Sequence, residues 1–249
     1  MGGALLSQWI KNDSFDFTVV DPVAENLPDN IALARNVGDL GETRFDIVVV
    51  AVKPQMIDDV MPPYAAKLTS DGCVASIAAG CSIARLKTVC STNAVVRIMP
   101  NLPSAIGAGV SGLCASEKTT DSHRKAVETL MAAAGTFVWV DDEDQLDRVT
   151  AVSGSGPGYV FEIARVYVEA AESLGFSTDQ ARELVLGTMA GTIAMAQAES
   201  ASLEELRTSV TSKNGTTQAG LEALNGDNAL SERMRAVVEA AYQRAIELR

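Results

Sequence analysis

The sequence predicts an α/β protein, a doubly wound parallel sheet followed by an all-α half. Three observations lead there. As far as about Asp147, apolar runs of strand length alternate with helical stretches. One run, "FDIVVVAV" (45–52), is almost continuously apolar, as suits a parallel strand covered on both faces. Beyond Asp147 the strand signal stops and only helical patterns follow. The expected division is therefore 1–147 for the sheet domain and 148–249 for the helical domain.

Taken in order, the chain opens on "MGGALLSQWI", a helical stretch of small and apolar residues with no strand before it and no capping residue for its first turn. Strands are expected at 17–21, 45–52, 73–80, 94–101, 109–116 and 137–142, with helices over 56–69 and 120–134 between them. In the second half, helices are expected at 156–174, at 178–198 behind the capping box Ser177…Gln180, and at 203–209 behind Ser202…Glu205. Two more cover 216–224 and 229–248. The stretches 159–174 and 184–198 are apolar on nearly every face, which requires burial all round. So few residues cannot enclose two such helices, and the second half is expected to complete its core with another subunit. Gly187 and Gly191, spaced G-x-x-x-G, would let helices approach closely. Tyr159 and Tyr167 fit packing on a helix face better than acid catalysis.

Composition narrows the function. A formal charge of −12 without a long basic run repels phosphate backbones and anionic lipid, so neither nucleic acid nor a membrane surface is an expected partner. The four cysteines show no C-x-x-C spacing, and the single histidine, His123, lies in a polar helical stretch. Buried reduced thiols and no metal site are expected. No basic segment followed by an apolar one marks a signal peptide, and the longest uncharged helical stretch, 184–198, is too short to span a bilayer. A soluble cytoplasmic protein is expected.

A dinucleotide-binding α/β domain starts with a strand, G-x-G-x-x-G and a helix, with an acidic residue at the end of the next strand. "MGGALL" fits the end of that fingerprint, with Gly2 as its third glycine and Asp21 as the carboxylate facing an adenosine ribose 2′-OH. On this reading the sequence begins inside the phosphate-binding motif. No arginine closely follows Asp21; the nearest downstream is Arg35. With nothing near to neutralise a 2′-phosphate, NADH is expected to be favoured over NADPH.

Four further stretches, "AVKPQ" (51–55), "SIAAG" (76–80), "VTAVSGSGPGYVF" (149–161) and "VTSKNGTTQAGLEAL" (210–224), carry a resemblance to the pyrroline-5-carboxylate reductases that spans essentially the whole chain. The resemblance implies a Rossmann domain followed by a dimerisation domain. It implies reduction of a cyclic imine, 1-pyrroline-5-carboxylate, to L-proline with NADPH or NADH, the final step of proline synthesis. It also implies a homodimer through the helical domain, with a ring of dimers as the larger assembly. Carried over by position, Gly2 closes the phosphate loop, Asp21 meets the ribose, and Asn36, allowing a two-residue insertion, lies near it. Ala51, Val52, Lys53 and Pro54, with Ala78 and Ala79, line the cofactor's ribose and nicotinamide. Ser212, Gly215, Thr216 and Thr217 hold the substrate, with Thr217 as the catalytic residue bonding the ring nitrogen.

That last assignment also has physical sense. Between Ser212 and Thr217 one helix gives way to the next, and free N–H groups at the new helix's start suit a small carboxylate. The family usually carries Pro-Gly or a second glycine where this chain has Lys213-Asn214; asparagine tolerates the left-handed backbone, and Lys213 adds a charge. From 126 to 212 there is no lysine and no histidine. Related dehydrogenases that oxidise alcohols use a lysine of the helical domain as base, so a hydroxyacid dehydrogenase is disfavoured. A protonated imine already attracts hydride, and positioning supplies much of the acceleration. The competing reading from another class is a non-catalytic helical dimer with impaired dinucleotide binding.

Overall fold

The computed structural model describes residues 1–25 and 27–248. The first half alternates as expected: α1 (Gly2–Trp9), β1 (Thr18–Val20), β2 (Ala32–Ala34), β3 (Phe45–Val50), α2 (Ile57–Val60), β4 (Leu68–Ser76), α3 (Ile83–Val89), β5 (Val95–Met99), β6 (Gly109–Ala115), α4 (Asp121–Ala134), β7 (Gly135–Val140) and α5 (Glu143–Val149). A π turn over Thr150–Gly154 leads into α6 (Gly156–Ser173), α7 (Thr178–Ala198), α8 (Leu203–Ser209), α9 (Thr216–Asn225) and α10 (Ala229–Glu247). Contacts divide the chain into one compact unit of Met1–Pro157 with Ala241–Arg249, and a second of Gly158–Ala240.

In the first unit β3-β4-β5-β6-β7 form one sheet in sequence order, while β1 and β2 pair with each other as a separate two-stranded sheet. All pairs run parallel except β5 with β6. The parallel pairing expected of a doubly wound sheet holds for every pair but β5 with β6, so the sheet is mixed. Only a 3-10 turn at Leu102–Ile106 joins those two strands, and a connection so short cannot carry the chain back for a parallel return. The expected helix over 56–69 is corrected too. Pro62 and Pro63 break it, leaving the single turn of α2 between 3-10 turns at Pro54–Met56 and Pro62–Lys67.

The sheet is wound on both faces, as strand alternation requires. Val74 and Val95 point to one side, into a core completed by Ile57 of α2 and Leu86 of α3. Their neighbours Ala75 and Val96 point to the other, against Leu5 and Trp9 of α1 and Val127, Leu130 and Met131 of α4. Each large side chain so buried contributes about 1.5–3 kcal/mol. The Thr120 hydroxyl caps α4 through the His123 N–H, and the His123 ring accepts the Thr120 N–H in return. His123 is a capping residue that also bonds the Asp71 carbonyl through Nε2.

The second unit leaves its apolar residues uncovered. In α6 only Ala164 is buried, while Val160, Phe161 and Tyr167 are at least half exposed. In α7 only Ala181 and Val185 are buried, and Ile193 and Met195 are about 60% exposed. A Cβ built on Gly187 or Gly191 meets nothing within 4 Å, so these glycines serve no close approach within the chain.

Candidate active site

Of the predicted cofactor residues, Gly2, Ala51–Pro54, Ala78 and Ala79 lie at one end of the five-stranded sheet, while Asp21 and Asn36 follow the separate strands β1 and β2. Ala51–Pro54 and the 77–80 loop leave the carboxyl ends of two adjacent parallel strands, with Val50 registered against Ser76. The Ile77 N–H donates to the Val50 carbonyl at 3.0 Å, which keeps the two loops side by side. Gly2 opens α1 against them, and a Cβ there would lie 2.9 Å from that of Ala51. Met1 gives α1 no side-chain cap, so the first-turn N–H groups have no acceptor in the helix and suit a phosphate. These amides, and the absence of room for a side chain at Gly2, fit a dinucleotide.

The individual side chains sort differently. Ala79 is exposed, but Ala78 is 7% exposed and packs into the core beneath the sheet. Lys53 is exposed at the start of the turn that Pro54 begins. Arg85 steadies that turn by donating to the Pro54 carbonyl at 3.2 Å and pairing with Asp58 at 2.7 Å, which holds the Asp58 carboxyl below its ordinary pKa. Asn36 caps its own 3-10 turn, accepting from the Gly38 N–H at 2.8 Å and donating to Asp39. Asp21 has one carboxylate oxygen occupied by the N–H groups of Val23 and Ala24, at 2.8 and 2.9 Å.

The premise for expecting NADH is corrected. Parallel pairing sets Val20 beside Ala34, so Arg35 stands next to Asp21 however far apart they lie in sequence. Its guanidinium donates to the Ala24 carbonyl at 2.7 Å and the Asp21 carbonyl at 3.3 Å, and it is exposed. Sequence distance hid it; pairing 17–21 with the short run "ALA" (32–34) would have found it. Glu143 and Arg97, which pair at 2.6 Å, were also missed. An arginine inside the apolar run "VVRIM" was the available signal, because a buried charge must have a partner.

The second unit gathers the predicted substrate residues in the turn between α8 and α9. Asn214 takes the left-handed conformation at φ +58, and its N–H donates to Gln218 at 2.8 Å. Gly215 is the N-cap of α9, without a side-chain cap bond, and a Cβ there would collide with the Ser212 hydroxyl. Ser212, Thr216 and Thr217 are exposed around these free N–H groups. The turn offers amides and hydroxyls for a carboxylate and a ring nitrogen.

Free helix-start amides at the carboxyl ends of parallel strands define the class of dinucleotide-binding α/β proteins. The family model described as pyrroline-5-carboxylate reductase dimerisation matches residues 143–248. The chain is similar to the pyrroline-5-carboxylate reductase of Pseudomonas aeruginosa, 40% identical over 206 residues, 82% of this chain and 74% of that protein. The one from Haemophilus influenzae is 36% identical over 222 residues, 88% and 82% of the two chains. Among solved structures, a pyrroline-5-carboxylate reductase from Coxiella burnetii superimposes with a TM-score of 0.91 at 31% identity, covering 99% of this chain and 94% of that one. The Plasmodium falciparum pyrroline carboxylate reductase with NADP bound gives 0.85 at 26% identity, covering 100% and 94%. The chain belongs to the pyrroline-5-carboxylate reductase family.

Proposed function

We propose that this chain reduces 1-pyrroline-5-carboxylate to L-proline, the final step of proline synthesis, with NADPH or NADH. The observation that carries the reading is the start of α9, where free N–H groups and the Thr216 and Thr217 hydroxyls surround a side-chain-free position at Gly215. The N–H groups and Ser212 take the substrate carboxylate, and the Thr217 hydroxyl bonds the ring nitrogen. A reduced nicotinamide, when bound, supplies hydride to the imine carbon. The protonated nitrogen takes up the electron pair of the C=N bond and becomes the amine, so one hydride and one proton balance the product. Ala51, Val52, Lys53, Pro54 and Ala79 orient the cofactor's ribose and nicotinamide half. Gly2 and the first turn of α1 hold the pyrophosphate, with Asp21 and Arg35 beside the adenosine ribose.

Residues 1–147 form the dinucleotide-binding part, and 148–249 carry the substrate turn and the dimer contact. The uncovered apolar faces of α6 and α7 support a homodimer, and a ring of dimers is a larger assembly compatible with it. No helix is long and apolar enough to cross a membrane among the described residues; we place the protein in the cytoplasm with its nucleotide pool.

The test is oxidation of NADPH and NADH in the presence of pyrroline-5-carboxylate, beside a hydroxyacid with the oxidised cofactors. Turnover of the imine alone is expected. A chain that binds cofactor yet leaves the imine untouched would overturn the assignment, and one that stays dimeric while binding neither cofactor would favour the non-catalytic dimer.

A further inference from the structure

The ion pair of Arg97 and Glu143 has no part in the reaction as described. Arg97 stands on β5 with 5% of its side chain exposed, in a strand otherwise apolar. Its Nη1 lies 2.6 Å from Oε1 of Glu143, in the first turn of α5. The same oxygen accepts the backbone N–H of Ile83, the first residue of α3, at 2.9 Å. One carboxylate oxygen thus ties the sheet to the far end of the 77–82 loop. The near end is fixed at Ser76, registered opposite Arg97, whose hydroxyl accepts the Ala78 N–H at 3.3 Å. Between the two ends, Gly80 at φ +69 packs against the Leu248 carbonyl.

We infer that Glu143 is a positioning residue for the cofactor: together with Arg97 it holds the 77–82 loop in the conformation that presents Ala79 to the nicotinamide half. The inference rests on the reading that this loop lines the cofactor site. Charge-assisted bonds are strong enough to keep one loop conformation dominant before binding. When a binding-competent conformation is only fractionally populated, apparent affinity falls by that fraction. A saturating cofactor selects the same conformation regardless. Loss of Glu143 therefore weakens cofactor binding and leaves turnover of the saturated enzyme unchanged.

Two variants of the full chain separate this from a structural role. Glu143→Gln keeps an acceptor for Ile83 but withdraws the charge from Arg97. Ile83→Pro removes the N–H at the first position of α3, where proline is readily accommodated, and Ser82 already has the extended backbone a following proline needs. Ile83→Ala controls for the lost side chain. NADPH and NADH binding is measured by fluorescence titration, hydrogen exchange of the 77–82 amides is followed without cofactor, and kcat is measured at saturation. Glu143→Gln and Ile83→Pro are expected to weaken binding roughly tenfold, the fraction expected if about a tenth of the loop population stays competent. They should also speed exchange in the loop at unchanged kcat, with Ile83→Ala close to the parent. Wild-type affinity in both variants overturns the inference, even if either melts at lower temperature. Ala79→Leu tests the underlying reading. If it does not weaken binding, the loop does not line the site and both readings fall. If it does while the other two variants bind normally, only the positioning role falls.

Discussion

Thr217 offers one hydroxyl to the proposed imine nitrogen, so Thr217→Ala isolates one hydrogen bond. A neutral bond contributes about 0.5–1.5 kcal/mol, which corresponds to roughly a 2- to 13-fold drop in turnover, with cofactor affinity unchanged. Steady-state kinetics decide it: wild-type kcat would remove Thr217 from the mechanism. Arg35 carries a different kind of interaction. Its guanidinium lies beside Asp21 and is exposed, where it can meet a 2′-phosphate that NADH lacks. Arg35→Ala should lower kcat/KM for NADPH about tenfold relative to NADH, in the range of a charge-assisted bond. An unchanged ratio would show that neither it nor its contact with Asp21 reads the phosphate. Residues were legible in the sequence where one backbone demand fixed the type. Gly215 leaves no room for a side chain, and Asn214 adopts a positive φ. They were illegible where a partner came from another strand, as for Arg35, or where a side chain turned away, as for Ala78.

Elements with a strong period and a cap were the easiest to read. The helix expected at 178–198 is α7, and that at 203–209 is α8, each closed by the capping box its sequence displays. Short or proline-broken elements were not legible: the three residues of β2 carry no periodic signal, and the run at 56–69 is apolar enough to suggest a helix that its prolines forbid. At this scale α7 makes a sharp prediction. Since nothing lies within 4 Å of a Cβ at Gly191 inside the chain, Gly191→Leu should not disturb the subunit. It should even favour the helix, where leucine exceeds glycine by up to about 1 kcal/mol. In a dimer packed through this face the same side chain would hold the helices apart. Circular dichroism is expected to be unchanged or more helical, while sedimentation shows loss of the dimer. An intact dimer in the Gly191→Leu variant would move the interface off this part of α7.

At the scale of the whole molecule, the four cysteines link the core to pH. All four are free and buried, as the sequence suggested. Burial pushes the thiols of Cys73, Cys90 and Cys114 from an ordinary value of 9.0 up to about 11. Cys73 packs beside Val74 within β4, Cys90 closes α3, and Cys114 lies on β6, so the effect reaches across the sheet domain. The sign follows from linkage. Below pH 9 these thiols are protonated in both states and favour neither. Between pH 9 and 11 the unfolded chain loses protons that the folded chain keeps, and stability falls as pH rises. The loss reaches about 2 kcal/mol per thiol by pH 11, large against the roughly 5–15 kcal/mol that holds a typical domain. Urea melts of the parent and of a Cys73→Ala/Cys90→Ala/Cys114→Ala variant at several pH values separate this from the titration of lysines and tyrosines, which both proteins share. The variant should begin less stable at pH 7, because three core side chains shrink, yet decline much less steeply above pH 9. Parallel declines in the two proteins would mean that the thiols titrate alike in the folded and unfolded chains, and that the core admits water where it is read as dry.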